Sequence, residues 1–229
     1  MVNAQSEFFQ GVKGELPILV GVVPFGMIYG ILALGAGLSE VEAQAMSVVV
    51  FAGSAQFMLV QLFGAGTPAL VMILTGFVIN LRHALYSASV APHIKKLSPL
   101  WKTFLAYLLT DEAYAVAITR YYKRDANPFK HWYFLGAGLA LWTSWQISTA
   151  VGVFLGAQFP SSWPLDFTLA LTFIALVVPA LKDRPGILAA LSASAVAIIT
   201  ATLPYKLNLI VAAIVGIIVG LWSEGGENE

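Results

Sequence analysis

Eight apolar segments follow one another along this chain, and several approach the roughly 20 residues that a helix needs to cross the ~30 Å hydrocarbon core of a bilayer. They cover 16–36, 43–63, 69–91, 103–119, 132–159, 167–181, 186–203 and 207–222. Composition agrees, with 59% hydrophobic and 10% charged residues, where a soluble domain carries about 25% charged. An all-α polytopic membrane protein is expected. No loop is long enough to hide a folded extramembrane domain, so 1–229 reads as a single transmembrane domain. Within it, residues 1–15 are expected to form an interfacial segment, with Phe8 and Phe9 in lipid and Glu7 and Lys13 wet; a frayed terminus is the alternative. The Gly-rich acidic tail 223–229 is expected to be disordered. The first apolar run is longer than a signal-peptide core and has no Ala-x-Ala site, so it is expected to be retained as a span.

Several function classes fall away. The formal net charge is zero, so no basic field invites nucleic acid. There is no cysteine and hence no disulfide or thiolate chemistry. The histidines, 83, 93 and 131, lack zinc-site spacing; no metal or cofactor is expected. A nucleotide-binding loop is missing, which excludes direct ATP coupling by this chain. An intramembrane Ser54–His83 enzyme is disfavoured because no Gly-x-Ser-x-Gly elbow is present.

Polar residues inside lipid-compatible runs carry the functional signal. A charge at the bilayer centre costs at least ~2.5–3.5 kcal/mol on insertion scales, so such residues usually serve a cavity. The second segment contains Gly53-Ser54-Ala55-Gln56, the third Asn80-Leu81-Arg82-His83, and the fourth Asp111-Glu112. On an unbroken helix Asn80, His83 and Ser87 would form one stripe, with Arg82, Tyr86 and Ser89 opposite. Arg82 suits a substrate carboxylate and His83 suits proton exchange; snorkelling and helix capping are the structural alternatives. Thr103, Tyr107, Asp111 and Tyr114 would share one face of the fourth segment, as a proton-coupling site or as counter-charge to Arg82. Gly53, Ser54 and Gln56 suit a broken helix at a substrate site or a close helix crossing. Gly21, Pro24 and Gly26 weaken the first segment at a matching depth, and Pro179 could break the sixth.

Loop charge sets the expected topology. If the fourth segment is re-entrant, Lys95, Lys96, Lys102, Arg120, Lys123, Arg124 and Lys130 lie on one side, joined by Lys182 and Arg184. Seven spanning helices result, with the N-terminus outside, the C-terminus inside, and broken or re-entrant helices at the polar motifs. Eight spans, with Asp111 and Glu112 crossing, is the competing arrangement.

The ordered set Pro24-Phe25-Gly26 with Tyr29-Gly30, then Gly53-Ser54-Ala55-Gln56-Phe57, then Asn80 through Ser87, then Asp111-Glu112-Ala113-Tyr114, resembles the AzlC family, the large subunits of branched-chain amino-acid exporters. The resemblance implies efflux of valine, leucine, isoleucine and sometimes methionine across a bacterial or archaeal inner membrane. It also implies a small hydrophobic AzlD-type partner. The expected substrate-binding residues are Pro24, Phe25, Gly26, Gly53, Ser54, Gln56, Asn80, Arg82 and Tyr86. His83, Asp111, Glu112 and Tyr114 are expected to handle protons. A polar-solute channel is the main rival, and it predicts a polar stripe running through several spans.

Overall fold

The computed structural model describes residues 3–123, 127–158, 181, 183–203 and 207–225. They fall into two compact units, Met1–Gly64 with Gly76–Ser161 and Ala65–Thr75 with Ser162–Glu229. Every regular element among the described residues is an α-helix. The first unit contains α1 (Ala4–Gly35), α2 (Glu40–Val49), α3 (Gly53–Gly64), α5 (Arg82–Ile94), α6 (Pro99–Tyr107), α7 (Asp111–Tyr122) and α8 (Lys130–Gly156). Helix α4 (Ala69–Asn80) belongs partly to each unit, and α9 (Arg184–Ile199) and α10 (Leu207–Gly225) to the second. Among the described residues, α1, α8 and α10 are long and apolar enough to cross a membrane, and the pair α4/α5, bent by 42°, makes a fourth.

Helix α1 begins at Asn3, whose side chain accepts from Ser6 N at 2.7 Å, and passes through Pro17 and Pro24 without a break. One expectation changes here. Residues 4–15 are continuous with the rest of α1, and Pro24-Gly26 does not unwind the first span. Membrane helices tolerate Pro and Gly where neighbouring helices re-satisfy the backbone, and α8 packs along this one. A Cβ on Gly26 would lie 2.0 Å from Ser148 Oγ, and one on Gly152 would lie 2.1 Å from the Met27 carbonyl oxygen. These glycines let two backbones touch, the small-residue device of membrane helix pairs.

The register of that crossing fixes direction. Gly136 meets Phe8, Gly152 meets Met27 and Gly156 meets Ile31, so α1 and α8 run parallel. Helix α7 runs the other way: Arg120 pairs with Glu7, Val116 lies by Gly14, and Lys130 Nζ reaches the carbonyls of Tyr121 (3.5 Å) and Lys123 (2.5 Å). Helix α6 follows α8, with Trp101 stacked edge-on to Trp132 at 5.0 Å and Tyr107 accepting from Trp142 Nε1 at 2.8 Å. The fourth segment is therefore a helical hairpin whose ends both sit at the N-terminal end of α8, with its tip at 108–110.

The second segment forms a matching hairpin from the opposite end. Gly64 rests on Ala36, just past the C-terminus of α1, while the other arm carries Ala43, whose carbonyl accepts from Tyr29 OH at 2.8 Å. Its tip, 50–52, lies between α2 and α3. Gln146 ties α8 to the entering arm, accepting from Gln44 Nε2 (2.8 Å) and donating to the Ser47 carbonyl (3.1 Å).

Seven crossings with the N-terminus outside would place two crossings between α1 and α8 and make them antiparallel. Their parallel packing does not bear that arrangement out, because the second segment returns to the end it came from. It also puts the start of α1 beside Lys123 and Lys130, the basic end. The Asn80–Ser89 stripes change as well, since the helix bends at Leu81 between α4 and α5. The face Thr103–Tyr107–Asp111–Tyr114 is split by the break before Asp111.

In the second unit, Asp183 caps α9 through Gly186 N at 2.8 Å. Helices α9 and α10 pack antiparallel, Gly216 against Ala189 and Ala193 and Gly220 against Ala189. The sixth apolar segment with Pro179, apart from Leu181, lies outside the described residues, as do 226–229. Of the expected tail, Ser223 and Glu224 continue α10.

Candidate functional site

The two hairpin tips meet. Tyr107 OH, at the end of α6, donates to the Val48 carbonyl at 2.6 Å, and its ring lies 6.1 Å from that of Phe51. Each returning arm starts a helix at this level, α3 at Gly53 and α7 at Asp111. Thr110 caps α7, its hydroxyl accepting from Ala113 N at 3.3 Å. In α3 the first helical bond runs from Gln56 N to Ala52 O at 3.0 Å, which leaves the N–H groups of Gly53, Ser54 and Ala55 without an intrahelical acceptor. The positive ends of two helix dipoles thus converge on one region.

Arg82, the first residue of α5, occupies it. Its guanidinium forms an ion pair with Asp111 and donates to Ser54 Oγ at 2.8 Å. One side chain therefore joins the bend in the third segment to the starts of both returning helices. Arg82 and Asp111 remain about one-third exposed. Arg82 Nε, Asp111 Oδ1 and Asn80 Oδ1 are buried without a hydrogen-bond partner among the described residues. Unsatisfied groups at this density are unusual in a native protein and mark places where a polar ligand or water is accommodated.

Other expected residues gather along α5 and α7, which run side by side. Tyr86 stacks on Tyr114 with centroids 4.6 Å apart, and Tyr114 OH donates to Ser89 Oγ at 2.9 Å. The His83 ring meets Tyr86 edge-on, and its Nδ1 lies 3.1 Å from the Asn80 carbonyl. Gln56 is fully buried beside the Tyr29 hydroxyl; that hydroxyl gives its proton to Ala43, and neither amide atom of Gln56 completes a hydrogen bond. Gly53 packs on the Trp145 ring. Three residues on α1 stand apart from the cluster. Gly26 is filled by α8, Pro24 is exposed, and Phe25 packs edge-on to Phe57. Glu112 makes no ion pair with Arg82, and lies one turn before Val116, which packs against Gly14 of α1.

A cavity of about 320 Å³ extends from Lys95 and Lys102, at the basic end, to Leu109 at the hairpin tip; its walls include Val90, Ile94, Leu105 and Phe134. It is apolar where it is deep and cationic at its mouth.

Two acidic residues escaped the sequence reading. Glu7, expected to be wet, is 2% exposed and accepts from Arg120 Nε (2.9 Å), Arg120 Nη2 (2.8 Å) and Asn127 Nδ2 (2.7 Å). Glu15 is fully buried. Both precede the hydropathy boundary at Leu16, and only their four-residue spacing to Gly11 marks a shared face.

A bent helix pair and two helical hairpins converging on a half-buried ion pair, among helices long and apolar enough to cross a bilayer, define a class of helical membrane protein. The chain belongs to the AzlC family: the family described as "AzlC protein" matches residues 17–159. It is 31% identical over 226 residues to an uncharacterized membrane protein of Archaeoglobus fulgidus, covering 96% of this chain and 97% of that one. It is 27% identical over 186 residues to the inner membrane protein YgaZ of Escherichia coli, covering 79% and 76%. Against the branched-chain amino acid transport protein AzlC of Bacillus subtilis the identity is 28% over 165 residues, covering 71% and 63%. No solved structure matches. The chain is a multi-pass membrane protein.

Proposed function

We propose that this chain is the large subunit of an exporter of branched-chain amino acids, moving valine, leucine, isoleucine and sometimes methionine, driven by the proton gradient. The observation that carries the reading is the Arg82 guanidinium held between Ser54 and Asp111 where the two hairpins meet. A substrate carboxylate competes with Asp111 for Arg82, gaining a charge-assisted bond and the N–H groups at the start of α3. Asp111, displaced, faces the substrate ammonium. Gln56 and Asn80 supply further polar contacts, and Tyr86 closes one side. The apolar cavity above Lys95 and Lys102 is a route in for an aliphatic side chain whose carboxylate is drawn to the two ammonium groups. The name borne by the Bacillus relative supports this substrate class.

The membrane arrangement belongs to the same reading. Helices α1 and α8 cross and the bent pair α4/α5 makes one span, while within the first unit α2/α3 and α6/α7 dip in from opposite faces. Lys95, Lys96, Lys102, Lys123 and Lys130 then share one side with the start of α1, which the positive-inside rule makes cytoplasmic. A small hydrophobic AzlD-type subunit covers the apolar flanks and is required for full transport. The test is labelled leucine and valine flux in vesicles containing this chain with and without such a partner, under an imposed proton gradient. Saturable flux that needs the partner and is abolished by Arg82→Gln and by Asp111→Asn is expected. Absence of flux with the partner present refutes the function, non-saturable flux of many polar solutes would make it a channel, and full flux from the chain alone removes the partner.

A further inference from the structure

Asp111 and Glu112 stand side by side at the start of α7 but face different partners. Asp111 holds Arg82, whereas Glu112 lies one turn before Val116, which packs against Gly14, the neighbour of Glu15 on α1. Glu15 is fully buried, and neither of its carboxylate oxygens has a hydrogen-bond partner. No cation pairs with it among the described residues; the ion pairs found there are Arg82–Asp111 and Arg120–Glu7.

The surroundings offer little to an anion. From α8, the Tyr133 hydroxyl reaches Gly14 and senses the charges of Glu15, Arg120 and Glu7. From α7 come Val116, beside Gly14, and Glu112, which itself senses Asp111 and Arg82. Arg120, the nearest guanidinium along this face, already grips Glu7 through two bonds. An ionised carboxylate stranded without donors costs far more than the neutral acid, and a second carboxylate opposite adds to that cost. Among the described residues no group of three or more His, Cys, Asp or Glu could hold a metal ion. The occupant that fits is a proton.

We propose that Glu15 and Glu112 form the site that binds the coupling proton, separate from the Arg82–Asp111 substrate site and joined to it by the first turn of α7. Binding forms one O–H bond on a carboxylate oxygen, the proton coming from water; release breaks that bond and returns the proton to water. When Asp111 leaves Arg82 for a substrate, the first turn of α7 moves, and Glu112 moves with it relative to Glu15. Coupling in this sense rests on the transport reading above; the proton site itself does not.

Two measurements separate them. Infrared difference spectra of the purified chain in nanodiscs, without substrate, should contain a protonated-carboxyl C=O band that disappears on titration. The band is lost in Glu15→Gln and unaffected by Glu40→Gln on the exposed start of α2. In Glu112→Gln it persists but vanishes at lower pH, because the facing charge is gone. In vesicles, Glu15→Gln should still let leucine run down its own gradient but lose accumulation driven by a pH gradient. A parent chain without the band, or a band unchanged in Glu15→Gln, overturns the site. Should Glu15→Gln fail to fold, an unshifted band in Glu112→Gln overturns it instead. Retained proton-driven accumulation in Glu15→Gln, with the partner subunit in the same vesicles, overturns the coupling role, whereas a parent chain that moves no leucine even with that partner refutes the transport reading and leaves the infrared result standing.

Discussion

Replacing Glu7 by Gln tests the best-buried ion pair among the described residues. Its carboxylate is 2% exposed and Arg120 7%, and three donors at 2.7–2.9 Å saturate it. Removing one partner of such a pair leaves the other charge buried and uncompensated, at a cost of ~3–5 kcal/mol. Glu7→Gln keeps one acceptor oxygen for Arg120 and belongs at the low end, about 3 kcal/mol. Arg120→Met leaves a buried carboxylate with Asn127 alone and belongs at the high end, about 5 kcal/mol. The double variant removes both charges and should recover most of the loss, so the single effects are strongly non-additive. Thermal and denaturant unfolding of the purified chain in one detergent gives all four corners of the cycle. Two single losses below ~1 kcal/mol that simply add would be the behaviour of an exposed pair, and would refute the claim that α7 is pinned to the start of α1 by a desolvated bridge.

Cysteines placed at Asn3, Lys96 and Lys123 in this cysteine-free chain should all react with an impermeant reagent from the cytoplasmic side, and one at Glu40 from the other; reaction of Asn3 opposite to Lys123 would break the parallel arrangement of α1 and α8. Gly152→Ala brings a Cβ within 2.1 Å of the Met27 carbonyl oxygen, forcing two backbones apart and lowering stability by about 1–3 kcal/mol. Gly21→Ala, with nothing within 4 Å, should be neutral or mildly stabilising in the same unfolding assay. Gln56→Leu replaces a buried amide that completes no hydrogen bond, so the empty protein should gain stability while leucine binding weakens; unchanged binding would remove Gln56 from the site.

Part of this was legible in the residues. Arg82 needs a counter-charge within an apolar run, and Asp111 supplies it; the Gly53 string and the Asp111 pair each sit next to a helix break. What stayed hidden depends on pairings between distant segments. Pro24 and Gly26 read as a weak point in α1, yet Gly26 makes room for α8 and α1 stays helical through both. Glu15 lies one position before the apolar run, where hydropathy marks nothing, yet it is fully buried beside Gly14, which meets Tyr133 of α8 and Val116 of α7. Counting loop charges placed the basic loops together, but the side of the N-terminus turned on whether the second segment crosses. Only the contacts of Gly64 with Ala36 and of Gly136 with Phe8 decide that.

The parallel pairing of α1 and α8 also bears on how the protein is made. Helix α1 leaves the ribosome ahead of α7 and α8, and must wait while both hairpins and the α4/α5 pair are translated. Arg120, which neutralises Glu7, arrives 113 residues later; at ~5–20 residues per second that is a delay of about 6–23 s. During it, the glycine face of α1 has no mate and its two acids have no partner. Insertion should therefore depend on the translocon or a membrane chaperone retaining α1 until α7 and α8 emerge, and truncations ending before Arg120 should leave α1 bound to that machinery and open to proteolysis.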